Sequence, residues 1–255
     1  MLKILICILA GLGAGFGTGF AGMSAAAVIS PMLIAFLDMD PYMAVGIALA
    51  SDVLASAVSA VTYGRNKNLD VRNGLVMMAA VLCFTAAGSF VASIVPKTTM
   101  GNFSVIMTLL LGIKFIVKPV VAPKPCLTDA TTAQKIIRSL LGGALVGFIC
   151  GFVGAGGGMM MLLVLTSLLG YELKTAVGTS VFIMSVTALT GAVSHFAIGG
   201  LPDITALIVC VVSTLVFAQV AALFANRAQP KTLNRVTGAV LVVLGTAILI
   251  VNFCK

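Results

Sequence analysis

Apolar segments of helical length alternate with short polar stretches along the whole chain. A first set covers residues 3–20, 23–37, 43–62, 74–95 and 101–119, and a second covers 138–153, 157–170, 175–195, 204–225 and 233–251. About 20 apolar residues in a helix cross a bilayer core of roughly 30 Å. The pattern therefore predicts an all-α polytopic membrane protein of about ten apolar helical segments.

The two sets of segments are copies of one another. When the sequence is shifted by 132 residues, positions 11–63 fall on 143–195 without a gap. The glycines that recur in this alignment are Gly11, Gly15, Gly19 and Gly22, which meet Gly143, Gly147, Gly151 and Gly154. Internal repeats of whole helical bundles are typical of secondary transporters. We predict a first transmembrane repeat at 1–119, a cytoplasmic linker at 120–137 and a second repeat at 138–255.

The number of membrane passes in each repeat decides whether the repeats point the same way. If residues 3–37 form one helix, each repeat has four passes and the 15 Lys and Arg divide ten to five between the two sides. If the chain reverses near residues 20–23, each repeat has five passes and the same residues divide twelve to three. The positive-inside rule favours the second arrangement, with inverted repeats of five and both termini outside. Segments 23–37 and 157–170 are only about 21–22 Å long as helices, so whether they span fully or re-enter stays open.

Composition excludes several classes of protein. Of the 255 residues, 60% are hydrophobic and only 9% are Asp, Glu, Lys or Arg, which rules out a soluble enzyme, a nucleic-acid-binding protein and a disordered chain. The net charge of +8 belongs to loops that set orientation. The six Cys are scattered without metal-ligand spacing, so we expect no metal and no cofactor.

Glycine-rich breaks interrupt each repeat and are the first candidate for a binding site. Runs of glycine unwind a helix, and bare backbone at membrane depth is tolerated only where it is buried or lines a cavity. The helix that restarts presents free N–H groups and a positive dipole end, which suit an anion. The predicted substrate-binding residues here are Gly22, Ser24, Ala25, Gly154, Gly156, Gly157 and Gly158. The alternative is close helix packing, which we favour for the outer glycines of the GxxxGxxxG runs.

Polar side chains inside the apolar segments are the second candidate. Asp52 sits near the centre of segment 43–62, where a charge costs about 2.5–3.5 kcal/mol or more, so we predict that it couples transport to protons. The alternative is a protonated Asp52 that bonds to a neighbouring helix. Thr179 and Ser180 are predicted to contact the anion, although they and Ser185 can equally satisfy carbonyls of their own helix.

The second repeat resembles the TauE/SafE family of sulfite and organosulfonate exporters. The resemblance rests on Gly156-Gly157-Gly158 after a short apolar lead and on Ala176-Val177-Gly178-Thr179-Ser180, in duplicated halves. It implies an exporter of a sulfur-containing anion. In the first repeat the triplet position holds Ser24-Ala25-Ala26, so the second repeat is expected to carry more of the anion site.

Together these observations predict a multi-pass transporter of the plasma membrane of a bacterium or archaeon. It would export sulfite, an organosulfonate or a related sulfur oxyanion by alternating access, with proton coupling. Its partners would be the anion, the lipid bilayer and protons, with no nucleic acid, and a homo-oligomer is left open. The alternative is an anion channel with a glycine-lined pore. An intramembrane enzyme would need a cluster of catalytic groups that the sequence does not offer.

Overall fold

The computed structural model describes residues 2–92, 131–153, 164–199 and 202–253, with residues 109, 110, 113, 116–118, 158, 161 and 162 between them. Every regular element in these ranges is a helix, as predicted. They are α1 (Leu2–Ala21), α2 (Ala26–Leu37), α3 (Pro41–Arg65), α4 (Val71–Ala92), α5 (Thr132–Val153), α6 (Leu173–Gly199), α7 (Ile204–Arg227) and α8 (Pro230–Phe253), with a π-helical turn at Val164–Leu168 before α6.

Among the described residues, four helices are long and apolar enough to cross a membrane. These spans are Leu2–Ala21, Met43–Arg65, Leu173–Ala197 and Ile204–Arg227, and shorter apolar helices run over Val71–Thr85 and Ile136–Phe148. The predicted segment 101–119 falls mostly outside the described residues, and segment 157–170 is described only in part. The count of ten segments therefore stays a prediction.

Helix α5 begins six residues before the predicted segment at 138, inside the predicted linker. Its start is a reciprocal capping box, in which the Gln134 N–H donates to Thr131 Oγ1 at 3.4 Å and the Thr131 N–H donates to Gln134 Oε1 at 3.1 Å. Two orphan backbone donors are satisfied in this way, so the helix extends into polar sequence that hydropathy alone assigns to a loop.

Glycines bring α1 and α7 into close contact as parallel neighbours. A Cβ atom on Gly11 would lie 1.9 Å from Ser213 Oγ, and one on Gly19 would lie 2.5 Å from Ala221 Cβ. Contacts therefore advance in the same direction along both helices. The packing interpretation of Gly11, Gly15 and Gly19 is confirmed, because none has room for a side chain.

Helices α4 and α5 pack in a matching way. A Cβ atom on Gly143 would lie 2.6 Å from the Met77 carbonyl oxygen, and one on Gly147 would lie 2.5 Å from the Val81 carbonyl oxygen. Gly143 and Gly147 are the positions that the 132-residue shift aligns with Gly11 and Gly15. Asp70 and Asp203 cap the N-termini of the two partner helices, α4 and α7.

Helices α3 and α6 cross the middle of the molecule as antiparallel neighbours. A Cβ atom on Gly46, near the start of α3, would lie 2.9 Å from the Phe196 ring near the end of α6. A Cβ atom on Gly178, near the start of α6, would lie 2.8 Å from Tyr63 Cβ near the end of α3. These two helices carry the Asp52 and Ser180 candidates respectively.

The polarity of the described part is that of a membrane protein. Apolar side chains at helical spacing on α7, Ile208, Val212, Val216 and Val220, are between 51% and 56% exposed. The buried polar side chains instead lie on α3, in the interior of the bundle. Ser51, Asp52, Ser56 and Ser59 are all 0% exposed. The apolar surface suits lipid, and the polar groups face other helices.

Candidate functional site

The break between α1 and α2 interrupts the helical path inside the bundle. Gly22 adopts a left-handed conformation with φ of +58°, which favours glycine because it has no Cβ. Its N–H donates to the Thr18 carbonyl at 2.9 Å, and the Met23 N–H reaches the Gly17 carbonyl at 3.2 Å. The predicted interruption near residues 20–23 is therefore present, and α2 starts only at Ala26.

Three other helices hold the carbonyls that the break leaves without helical partners. The Tyr63 hydroxyl of α3 donates to the Gly19 carbonyl at 2.8 Å, and the Thr237 hydroxyl of α8 donates to the Phe20 carbonyl at 3.1 Å. The Ser180 hydroxyl of α6 donates to the Gly22 carbonyl at 2.9 Å. Helix ends need such partners when they are buried, so these contacts keep the break in place.

The second repeat contacts the first break directly. A Cβ atom on Gly158 would lie 2.5 Å from the Ser24 nitrogen and 2.8 Å from the Gly22 carbonyl oxygen. Gly158 is therefore glycine because backbone of the other half passes against it. Of the predicted glycine cluster, Gly154, Gly156 and Gly157 lie outside the described residues.

One face of α3 presents polar side chains to the break. Asp52, Ser56 and Ser59 share this face at helical spacing. Ser56 Oγ donates to Asp52 Oδ1 at 2.8 Å. Asp52 Oδ2 and Ser59 Oγ are buried and have no hydrogen-bond partner among the described residues. Two buried polar atoms on one face are thus available to a further group.

The beginning of α2 is the nearest polar element to Asp52. The Ser24 side chain and the Ala25 backbone amide lie next to the Asp52 carboxylate, at longer range than a closed hydrogen bond. The Ser24 hydroxyl also accepts a long hydrogen bond of 3.3 Å from the Ala26 N–H. Ala25 occupies the N-cap position and offers no side-chain cap. The expected free N–H groups are not found at Ala26, Ala27 and Val28, which donate to Ser24 Oγ, the Ser24 carbonyl and the Ala25 carbonyl. The amide at the start of α2 that faces the carboxylate is that of Ala25.

The three hydroxyls predicted on α6 have different roles. Ser180 bonds to the break, whereas Ser185 donates to the Phe182 carbonyl of its own helix at 2.7 Å. Thr179 Oγ1 accepts from the Asp70 N–H at 3.2 Å, where α4 begins. The structure thus brings Ser180 together with Gly22, Ser24, Ala25, Gly158 and Asp52, and places Thr179 at the loop before α4.

Two residues at the site were missed by reasoning from the sequence. Tyr63 and Thr237 both bond to carbonyls of the break, yet neither lies in a motif. The available signal is that each is a hydroxyl-bearing residue within or beside an apolar segment, which is too common to be specific. Gln219 of α7 accepts a hydrogen bond from the Thr62 hydroxyl of α3 at 3.0 Å and so links these two helices.

Polar contacts between the halves close the site at the end where α3 and α7 finish. Asn68 Nδ2 donates to Asn226 Oδ1 at 2.7 Å, and the Tyr171 hydroxyl donates to Asp70 Oδ2 at 2.7 Å. Burial and the Asp70 carboxylate raise the pKa of Tyr171, so its hydroxyl stays protonated and donates. Arg65 and Arg227 end their helices at this same end of the molecule.

An ion pair joins the halves at the opposite end. Lys3 of α1 binds Asp203, the N-cap of α7, and the ammonium group lowers the pKa of that carboxyl. Beside the pair lies a cavity of about 400 Å³, lined by Lys3, Leu37, Met39, Asp40, Met43 and Asp203. Asp52 and Ser24 are 0% and 4% exposed, so the site between the two ends is closed to solvent in this conformation.

Comparison with known proteins places the chain among membrane transporters. The family model described as "Sulfite exporter TauE/SafE" matches residues 7–248. "Probable membrane transporter protein YunE" of Bacillus subtilis (strain 168) is 26% identical over 264 residues, covering 96% of both chains. "Probable membrane transporter protein YdhB" of the same organism is 25% identical over 231 residues, covering 89% of this chain and 90% of the relative.

Proposed function

The chain belongs to the sulfite exporter TauE/SafE family, and from this premise we propose that it is a secondary transporter of a small anion. The observation that carries the proposal is the break between α1 and α2, which meets Asp52 of α3 on one side and Gly158 of the second repeat on the other. The positive dipole end of a helix N-terminus attracts anions, and a buried carboxyl group can carry a proton.

The transporter consists of two inverted repeats, each with an odd number of passes. In support, α3 and α6 are aligned by the 132-residue shift and are antiparallel neighbours. The α1–α7 and α4–α5 pairs also use aligned glycines for equivalent contacts. Such repeats place a substrate site at their interface near the bilayer midplane, which fits the position of the α1–α2 break.

The cargo is a sulfur oxyanion such as sulfite or an organosulfonate. This choice takes its support from the description of the family rather than from a shaped pocket. A tetrahedral or pyramidal oxyanion has several acceptor oxygens. The Ser24 hydroxyl, the Ala25 amide and the Ser59 hydroxyl, which has no partner among the described residues, are donors of the matching type.

Transport proceeds by alternating access across the closed site. The Lys3–Asp203 pair at one end and the Asn68–Asn226 and Tyr171–Asp70 bonds at the other each join residues of different repeats. Opening to one side then requires breaking one set while the other stays closed. We place both termini outside, because Arg65 and Arg227 share the opposite end of the molecule.

A proteoliposome panel tests this function. The purified chain is reconstituted and supplied with sulfite, sulfoacetate, taurine, sulfate and thiosulfate, with and without a pH gradient. We expect saturable flux of at least one sulfur oxyanion that a pH gradient accelerates. Flux that rises linearly with concentration and ignores the gradient would indicate a channel. No flux above that of protein-free liposomes for any of the five would refute the proposal.

A further inference from the structure

The Asp52 carboxylate occupies the position at the N-terminus of α2 that a bound anion would take. Its carboxylate lies beside the Ser24 side chain and the Ala25 amide, which are the first donors at the N-terminus of the 12-residue helix α2. The side chain is 0% exposed, and Oδ2 has no hydrogen-bond partner in the described part of the chain. The α2 terminus is therefore already facing a negative group that belongs to the protein.

Two anions cannot share this terminus. In a water-excluded site, like charges a few Å apart repel strongly, and one helix N-terminus supplies only a few donors. When Asp52 is protonated, the neutral acid attracts the Ser24 hydroxyl and the Ala25 amide less strongly. These two donors can then bind the anion. Ser56 Oγ, at 2.8 Å from Oδ1, can hold the side chain in place in either state.

We propose that the Asp52 carboxylate is a built-in competitor for the transported anion, so that a sulfur oxyanion binds at Ser24 and Ala25 only together with one proton on Asp52. This rests on the proposed function and deepens it, since it makes anion and proton binding a single event at one place. The coupling then needs no separate proton pathway to a distant site.

Within the described residues, no other charged group lies beside the Asp52 carboxylate. Among the described residues, the groups beside the Asp52 carboxylate are Ser24, Ser56 and the Ala25 amide. On the helices packed around α3, His195 of α6 lies against Gly46, and Cys7 of α1 lies beside Cys210 of α7. Tyr63 of α3 donates to Gly19, while Lys3, Lys174 and Arg227 lie at the ends of their helices.

Competition with Asp52 predicts in which direction the apparent Kd for the anion changes with pH. If only the protonated protein binds the anion, the apparent Kd equals the intrinsic Kd divided by the protonated fraction. Above the midpoint of the Asp52 titration the apparent Kd rises about tenfold for each pH unit, and each bound anion takes up one proton from solution. Below the midpoint the affinity is constant.

The test measures binding of sulfoacetate and thiosulfate to the purified full-length chain between about pH 5.5 and 8.5, where neither anion changes its charge appreciably. Calorimetry in two buffers of different ionisation enthalpy also counts the protons taken up. We expect the tenfold slope and one proton per anion for the wild type. Asp52→Asn, which mimics the neutral acid, should bind with the acid-side affinity at every pH and take up no proton.

A matched control removes a carboxylate elsewhere. Asp38→Asn changes the same atoms at an exposed position after α2 and should keep the wild-type slope. The inference is overturned if Asp52→Asn retains the slope, or folds but binds neither anion. If Asp52→Asn does not fold, wild-type binding without proton uptake overturns it as well. If the wild type neither binds nor transports any of the five panel anions, the proposed function itself fails; flux or binding without the slope refutes only this inference.

Discussion

At the scale of single residues, glycine has two separate duties in this chain. Gly22 is glycine because its backbone is left-handed, whereas Gly158 is glycine because the break of the other repeat lies against it. Both roles concern the backbone of residues 22–24, and Asp52 lies beside Ser24. The sequence predicts a break at both glycines, but only the packing of the two halves shows that Gly22 is needed for its conformation and Gly158 for a close contact.

Gly158→Ala should impair both folding and transport. The added Cβ would lie 2.5 Å from the Ser24 nitrogen, which is backbone and cannot swing aside. Overpacking of this kind costs about 1–3 kcal/mol of unfolding free energy. Gly64→Ala is the control, because its Cβ would meet only the flexible end of Leu69 at 3.3 Å. Thermal unfolding in detergent and proteoliposome flux are the measurements, and equal behaviour of the two variants would contradict the contact.

Ser180→Ala and Ser185→Ala separate two uses of a hydroxyl on one helix. Ser180→Ala leaves the buried Gly22 carbonyl without its partner, at a cost of about 1–3 kcal/mol, and should loosen the break. Ser185 bonds only to Phe182 of its own helix, so its loss should change stability by a few tenths of a kcal/mol. Unfolding free energies and flux of the two variants should differ accordingly; a larger loss for Ser185→Ala would show that the assignment is wrong.

The Lys3–Asp203 pair should make stability depend on pH in one direction. The lowered pKa of Asp203 means that the pair stabilises the fold above the unfolded-state pKa, about 3.9, and that this contribution is lost as pH falls through the folded-state pKa. Asp203→Asn should therefore lower the melting temperature at pH 7, and the difference should shrink below about pH 4. The effect is small because both side chains are well exposed. A difference that grew as the pH fell would contradict this sign.

At the scale of helices, the hydropathy pattern and the distribution of charges predict part of the arrangement. They place an interruption near residues 20–23, and the structure confirms it, since α1 ends at Ala21 and α2 begins at Ala26. They miss the early start of α5, because the Thr131–Gln134 capping box is a local hydrogen-bonding pattern inside polar sequence. They also cannot identify the partners of the break, because Tyr63 and Thr237 reach it only through the packing of distant helices.

The antiparallel arrangement of α3 and α6 can be tested by disulfide formation. A Cβ atom on Gly46 would lie 3.2 Å from His195 Cβ, so cysteines at 46 and 195 are close enough to oxidise. Gly46→Cys with Gly178→Cys is the control, since Gly178 lies near the other end of α6 beside Tyr63. Mass spectrometry of oxidised protein without its native cysteines should find a link in the first pair. A link in the control pair alone would reverse the helix direction.

At the scale of the whole molecule, the two halves meet at a buried polar centre between two closed ends. The glycine breaks and the polar side chains inside apolar segments single out Gly22, Ser24, Ala25, Asp52 and Ser180, which the structure brings together, while their role in binding and the inverted repeats stay predictions. The sequence did not predict that α2 would face a carboxylate of its own protein, because Asp52 has Met184 as its repeat mate and nothing in the repeat pairs it with Ser24.

Labelling of the break from each side of the membrane is the most direct test of a binding site between α1 and α2. Ala25, 0% exposed, is replaced by cysteine in a chain whose six native Cys have been removed, and a membrane-impermeant maleimide is applied to one side at a time. Val216→Cys, on the lipid-facing side of α7, is the unreactive control. We predict that Ala25→Cys is labelled from either side and that the transported anion slows the reaction. A cysteine at position 25 that stays unlabelled from both sides while the protein transports would contradict a binding site at the break.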